Sequence, residues 1–214
     1  MKKCFAAAAL LCAAGAANGA IVLQTQLYGF PLSPGAQTLT FDKFDTSLGV
    51  LTKVDLFLSG FLGATATAEN DSTLAAPDFG LSLSGNMSAT FESLSAIGLV
   101  NTVFSQALDA TDNGGVANGS GPDFHDFGAV GDVFGDNDST NAGLAAYNGP
   151  GTIDCFLNGS AGFSFEGTTD ATLGIDSLGT IGEVSVVYTY DPVPAPGAMA
   201  LLGLGGIAAL RRRR

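Results

Sequence analysis

Apolar and polar residues alternate along much of this 214-residue chain. Val54, Leu56 and Leu58 fall on one side of an extended segment, with Lys53, Asp55, Phe57 and Ser59 on the other. Successive side chains of a strand point to opposite faces, so a period of two predicts a strand with one buried face. Phe79, Leu81 and Leu83 repeat the pattern, and so do Val184, Val186, Tyr188 and Tyr190. Phe163 to Phe165 predicts a further short strand, and Ala64 to Ala68 a flat one of small residues. β-Branched and aromatic side chains suit such half-buried pleated surfaces. One segment, Leu94 to Leu108, reads as a helix, although Gly98 and the run Val100 to Val103 weaken it. Asp, Asn and the 30 glycines mark turns, which predicts many short strands. The fold expected is all-β, an antiparallel β-sandwich of two sheets, with a jelly-roll-like arrangement as one version.

The two ends depart from that pattern. Lys2 and Lys3 precede an apolar stretch from Phe5 to Ala17, followed by small residues at Ala17, Gly19 and Ala20. A basic start, a short apolar run and a small-residue cleavage pattern predict a helical secretory signal peptide over residues 1–20. Cleavage is expected after Gly19 or Ala20. Cys12 follows Leu11 rather than a small residue, so a lipoprotein signal is not expected. At the other end, Val193, Pro194, Ala195 and Pro196 break the chain before an uncharged run from Gly197 to Leu210. Arg211, Arg212, Arg213 and Arg214 close it. As a helix that run rises only about 21 Å, against roughly 30 Å of bilayer hydrocarbon. Clustered cations resist crossing a membrane, so the arginines are expected on the cytoplasmic side and the body outside. Residues 192–214 thus read as a sorting and anchoring segment, and residues 21–191 as one domain.

Removing the ends changes the charge. The body keeps two lysines, Lys43 and Lys53, against all 20 acids, a formal charge of −18 with no arginine. Such a surface repels nucleic acid and anionic lipid, because both are held by displacing counterions with lysine or arginine. No nucleic-acid partner is expected, and membrane contact is expected only through the C-terminal segment. With Cys4 and Cys12 in the signal, Cys155 is left alone and reads as a small buried hydrophobe beside Phe156.

The chemistry on offer is an Asp-rich stretch running from Asp109 through Asp112, Asp123, His125 and Asp126 to Asn141. Calcium takes six to eight oxygen ligands, often from Asp, Asn and Gly-bearing loops. Asp136, Asp138 and Asn141, with Asp132 nearby, are the residues expected to share a calcium ion. Their spacing matches neither an EF-hand nor a nonapeptide repeat, and a solvated acidic loop is the plainer alternative. Catalysis has little to stand on. His125 is the single histidine, there is no G-x-S-x-G elbow, and zinc would need more His or Cys. Two of the 20 acids converging as a glycosidase pair is the alternative that spacing leaves open.

Two resemblances complete the reading. The Pro-x-Pro break, short apolar run and terminal arginines resemble the PEP-CTERM sorting signal of exported bacterial proteins. Ala195 stands where that motif usually has Glu. The resemblance implies an exosortase-type sorting enzyme as a transient partner, with cleavage near Pro194 to Pro196. The stretch Leu39 to Gly60, above all Phe44 to Leu51, resembles the opening of the choice-anchor E domain. The stretch from Gly151 to Tyr190 is similar to its closing strands, so the likeness spans about residues 21–190. Residues 109–148 read as an insertion. That family brings no catalytic residues. The chain is expected to be an exported, non-enzymatic component, structural or adhesive, of an extracellular polysaccharide or protein matrix at the cell surface. The rival is a secreted carbohydrate-active hydrolase using a carboxylate pair.

Overall fold

The computed structural model describes Leu10–Cys12 and Gly19–Val193. Nine strands follow in order: β1 (Leu10–Cys12), β2 (Ala20–Pro31), β3 (Gly35–Asp42), β4 (Gly49–Asn70), β5 (Ala76–Phe91), β6 (Leu94–Leu108), β7 (Phe124–Thr140), β8 (Thr152–Glu166) and β9 (Ala171–Pro192). A 3-10 turn at Leu144–Tyr147 precedes β8. Among the described residues there is no α-helix. One sheet has the order β1-β2-β9-β4-β7 and the other β3-β8-β5-β6, with every paired strand antiparallel. The chain is an all-β antiparallel sandwich.

The alternating positions make the core. Val54, Leu56 and Leu58 of β4 and Val184, Val186 and Tyr188 of β9 are all buried, at most 1% exposed. They face Leu83, Met87, Ala89 and Phe91 of β5 across the sandwich. A second, smaller cluster continues the core toward the far end of β4, around Ala66, Ala68, Phe79, Leu81 and Leu108. Its alanines are the flat small-residue strand that the pattern predicted. Two packed sheets stabilise one another by removing these faces from water.

Three expectations need correction. Leu94–Leu108 is strand β6, not a helix. Leu94, Ala96 and Val100 are buried while Ile97 and Leu99 face solvent, so the true period is two, and pairing with β5 overrides the local helical pattern. Residues 124–148, part of the stretch 109–148 read as an insertion, are built into the sandwich. β7 is an edge strand that buries Val130 and Phe134, and Tyr147 of the 3-10 turn is buried against Phe91. Finally, the strands are long, with 22 residues in both β4 and β9. Many glycines lie inside them rather than at turns. Gly60 and Gly182 are in register, and a Cβ on either would strike the Tyr28 hydroxyl at 2.5 Å. An aromatic laid over strand glycines replaces the side-chain packing they lack.

Leu10–Cys12 pairs with Leu23 to Ile21 of β2, where a helical signal peptide was expected. A strand edge offers free N–H and C=O groups, and an extended apolar segment satisfies them as well as a helix satisfies its own.

Both open sides of the sandwich are laced by side chains. On one, Gln24 acts as a strand residue would. Its amide nitrogen donates to Asp42 O at 2.9 Å and its oxygen accepts from Asp42 N at 2.9 Å. Gln26 donates likewise to Thr40 O, and Gln37 accepts from Gly29 N at 3.3 Å. On the other side, β7 aspartates reach the exposed edge of β6. Asp138 Oδ2 accepts from Ser95 N at 2.9 Å and Asp136 Oδ2 from Ile97 N at 2.7 Å. An unpaired edge is a template for aggregation, and these contacts occupy it.

Candidate functional site

Register fixes the two ends of the molecule. Ala20 of β2 pairs with Tyr190 of β9, and Gly49 of β4 pairs with Pro192. The start and the end of the described body therefore lie side by side. At the opposite end, Asn70 of β4 pairs with Ala171. Twenty-two strand residues separate these ends, roughly 70 Å at full extension. Lys43 and Lys53 lie toward the first end. Lys43 N donates to Gly151 O, while Lys53 pairs in register with Thr189 and meets Asp55 at 2.5 Å.

The second end is an acidic tip built on Asn70. Its side-chain nitrogen donates to Leu74 O at 2.9 Å and Asp109 O at 2.7 Å. Its oxygen accepts from the Thr168 hydroxyl at 2.7 Å and from Ser72 N at 3.2 Å. One wholly buried amide thus ties three loops, using both donor hydrogens and both lone pairs. Beside it, the buried Glu69 takes Asn118 N and Gly119 N on its two oxygens, each at 2.7 Å. Charge-assisted bonds of this kind order a Gly-rich loop that would otherwise be costly to fix. Asp123, 0% exposed, accepts from Asp112 N at 3.0 Å. Sequence reading passed over Glu69 and Asn70, although a charged and a polar residue ending an alternating strand was the signal.

The residues expected to hold calcium lie elsewhere. Asp132, Asp136 and Asp138 share one side of β7, and Asn141 follows its end. Asp136 and Asp138 are two residues apart, about 6.6 Å along a strand, and each caps a different β6 amide. Among the described residues no three His, Cys, Asp or Glu side chains converge in a metal-binding group. Asp132 Oδ2 accepts from the Thr102 hydroxyl at 2.5 Å, and its Oδ1 from Val133 N at 2.8 Å. The Thr102 hydroxyl chiefly, and then the Val133 amide, hold the Asp132 carboxyl below the usual carboxylate range. A lowered folded value adds stability above the ordinary range and loses it as pH falls through the folded value. Thr102→Val should therefore lower the denaturation midpoint more at pH 7 than near pH 2. A difference that stays constant across that range would show that Asp132 contributes nothing through its charge.

His125 meets Phe127 edge-on at 4.7 Å and shares no hydrogen bond with a serine or carboxylate among the described residues. Cys155 is wholly buried between Leu39 and Phe91 in register, and burial pushes its thiol up to about 12. Among the described residues, three of the shallow surface grooves bear on chemistry. One is apolar and runs past Phe30, Phe61, Leu178 and Ile181. Another, at Asp42, Lys43 and Asp45, has carboxylates but no ring, and the third, near Asn86 and Asn101, has neither. Carboxylates and aromatic rings do not share any of these three.

Of the sorting residues, Ala17, Pro194, Ala195, Pro196 and Arg211 to Arg214 lie outside the described residues. Gly19 and Ala20 lead into β2, and Val193, exposed just past β9, donates its N–H to Leu48 O at 3.1 Å. No helix among the described residues is long and apolar enough to cross a membrane.

No family model matches the chain, and no curated protein matches it. Among solved structures, that of infectious bursal disease virus, Gt strain, aligns over 95% of this chain and 55% of that chain. The identity is 14% and the TM-score 0.13, too low to carry an argument about fold or function.

Proposed function

We propose that this chain is an exported, non-enzymatic β-sandwich that serves as a structural or adhesive component of an extracellular polysaccharide matrix. An exosortase-type enzyme would sort it through its C-terminal segment. The observation that carries the reading is the pairing of a signal-like N-terminus with Pro194 to Arg214, a short apolar run closed by four arginines. Geometry supports it. Ala20 and Tyr190 are neighbours, so signal and sorting segment attach at one end of the body. A chain held there by its tail presents the acidic tip at the far end of a 22-residue strand, up to roughly 70 Å away. The body's −18 charge favours dispersion and repels anionic surfaces, which suits a component spread through a hydrated polymer.

Intact-mass measurement of the protein from its native envelope is the test. The expected mature chain begins at Ala20 or Ile21 and ends near Pro194 to Pro196. A mass that retains Arg211 to Arg214 rules out processing and leaves a permanently anchored protein. A mass that retains Lys2 and Lys3 rules out export by a cleaved signal.

A further inference from the structure

We propose that Asp112 and Asp123 form a calcium site at the acidic tip, in the loop joining β6 to β7. Asp123 is 0% exposed, and only one of its carboxylate oxygens is spoken for. Oδ2 accepts from Asp112 N, while Oδ1 is buried with no partner. A buried carboxylate oxygen without a counter-charge or donor is costly, so such a group marks a missing partner.

The direction of that oxygen shows where the partner sits. A Cβ placed on Gly121 would be 2.7 Å from Asp123 Oδ1 and would also strike Asp112 Oδ2. The two free oxygens therefore lie no more than about 5 Å apart against Gly121, close enough for one ion to touch both. Gly121 holds φ +102, which L side chains rarely adopt, so no side chain comes between the two carboxylates. Asp112 Oδ1 is fixed by Asn118 Nδ2 at 3.2 Å, and Asn118 is fixed in turn by Glu69. The oxygens are pre-positioned by the protein without being consumed by it.

No cationic side chain among the described residues pairs with either carboxylate. Lys43 and Lys53 are the only lysines or arginines among the described residues, and both lie toward the opposite end, while His125 at this end forms no ion pair with either carboxylate. The counter-charge must come from solvent. An all-oxygen donor set on an irregular glycine-rich loop suits calcium, which accepts flexible geometry and completes its shell with carbonyls and water. Magnesium demands near-octahedral geometry and sheds water reluctantly. Asp112 is exposed, giving an ion a route in. Two carboxylates place the site among weak extracellular modules, with Kd on the order of 0.1–1 mM.

Equilibrium dialysis of the full chain against radioactive calcium chloride tests this. One saturable calcium per chain is expected, displaced poorly by magnesium chloride. Asp112→Asn alters an exposed side chain and should fold normally while weakening uptake at least tenfold. Asp123→Asn should weaken it further, and circular dichroism checks that it remains folded. The double variant Asp136→Asn with Asp138→Asn should leave uptake unchanged. Absence of saturable uptake, equal competition by magnesium, or uptake indifferent to Asp112→Asn would each overturn the site. Loss of uptake only in the β7 double variant would move the ion to Asp136 and Asp138 and overturn it as well.

Discussion

Phe91→Ala is expected to lower unfolding free energy by about 3–5 kcal/mol, a large share of the total for a domain of this size. Phe91 is the last residue of β5 and is wholly buried. Its ring centroid lies 5.7 Å from that of Phe41, edge-on at 76°, and 5.6 Å from that of Tyr147. Its carbonyl accepts the Tyr147 hydroxyl at 3.3 Å, so the 3-10 turn is pinned to the sandwich at this residue. Truncation removes the apolar transfer term, opens a cavity between two sheets and loses both aromatic contacts. The cavity cannot close by local collapse, because Phe91 is paired on both sides, to Leu94 and to Cys155. Urea denaturation monitored by circular dichroism measures the loss through the midpoint at constant slope. Ile97→Ala is the matched control on the solvent face of β6, where a change within about 0.5 kcal/mol is expected. If both variants lose the same small amount, the aromatic cluster does not hold the sheets together.

Asn70→Ala should cost about 2–4 kcal/mol, because it strands several buried groups at once. Leu74 O and Asp109 O lose their donor, while the Thr168 hydroxyl and Ser72 N lose their acceptor. Water replaces some of these bonds, which keeps the figure below the sum of four orphaned partners. The damage should be local. Amide exchange is expected to quicken from Asp109 to Asp123, while strands of the main core such as Val184 to Tyr188 keep their protection. Asn70→Asp should fare little better, since it keeps an acceptor, loses both donors and adds charge beside Asp71 and Asp123. Uniform acceleration of exchange across the whole sandwich would mean that the tip and the core unfold as one unit.

The tip shows why candidate sites were harder to read than strands. Periodicity placed Val54, Leu56, Leu58 and Val184 to Tyr190 correctly, because a strand's inward face is fixed by its own two-residue repeat. It failed at Leu94 to Leu108, where a polar interruption at Asn101 and Thr102 hid the alternation that β5 enforces. The acids were visible but their partners were not. Asp132, Asp136 and Asp138 are close in sequence, yet an extended strand spreads them and spends two of them on β6 amides. Asp112 and Asp123 are eleven residues apart and meet only because the loop returns over Gly121.

Sequence alone determined that the body is all-β, that its charge is strongly negative, and that its two ends carry export-like patterns. Those properties are local or additive, written in alternation, in composition and in runs of like residues. The tertiary structure decided which strands are neighbours, that Ala20 and Tyr190 share one end, and that Asp123 is buried with one oxygen unpaired. It also decided that glycines run through long strands under aromatic rings rather than ending short ones. Each of these depends on contacts between residues far apart in the chain. A contact of that kind is selected by the packing of the whole sandwich, and no window of sequence contains it.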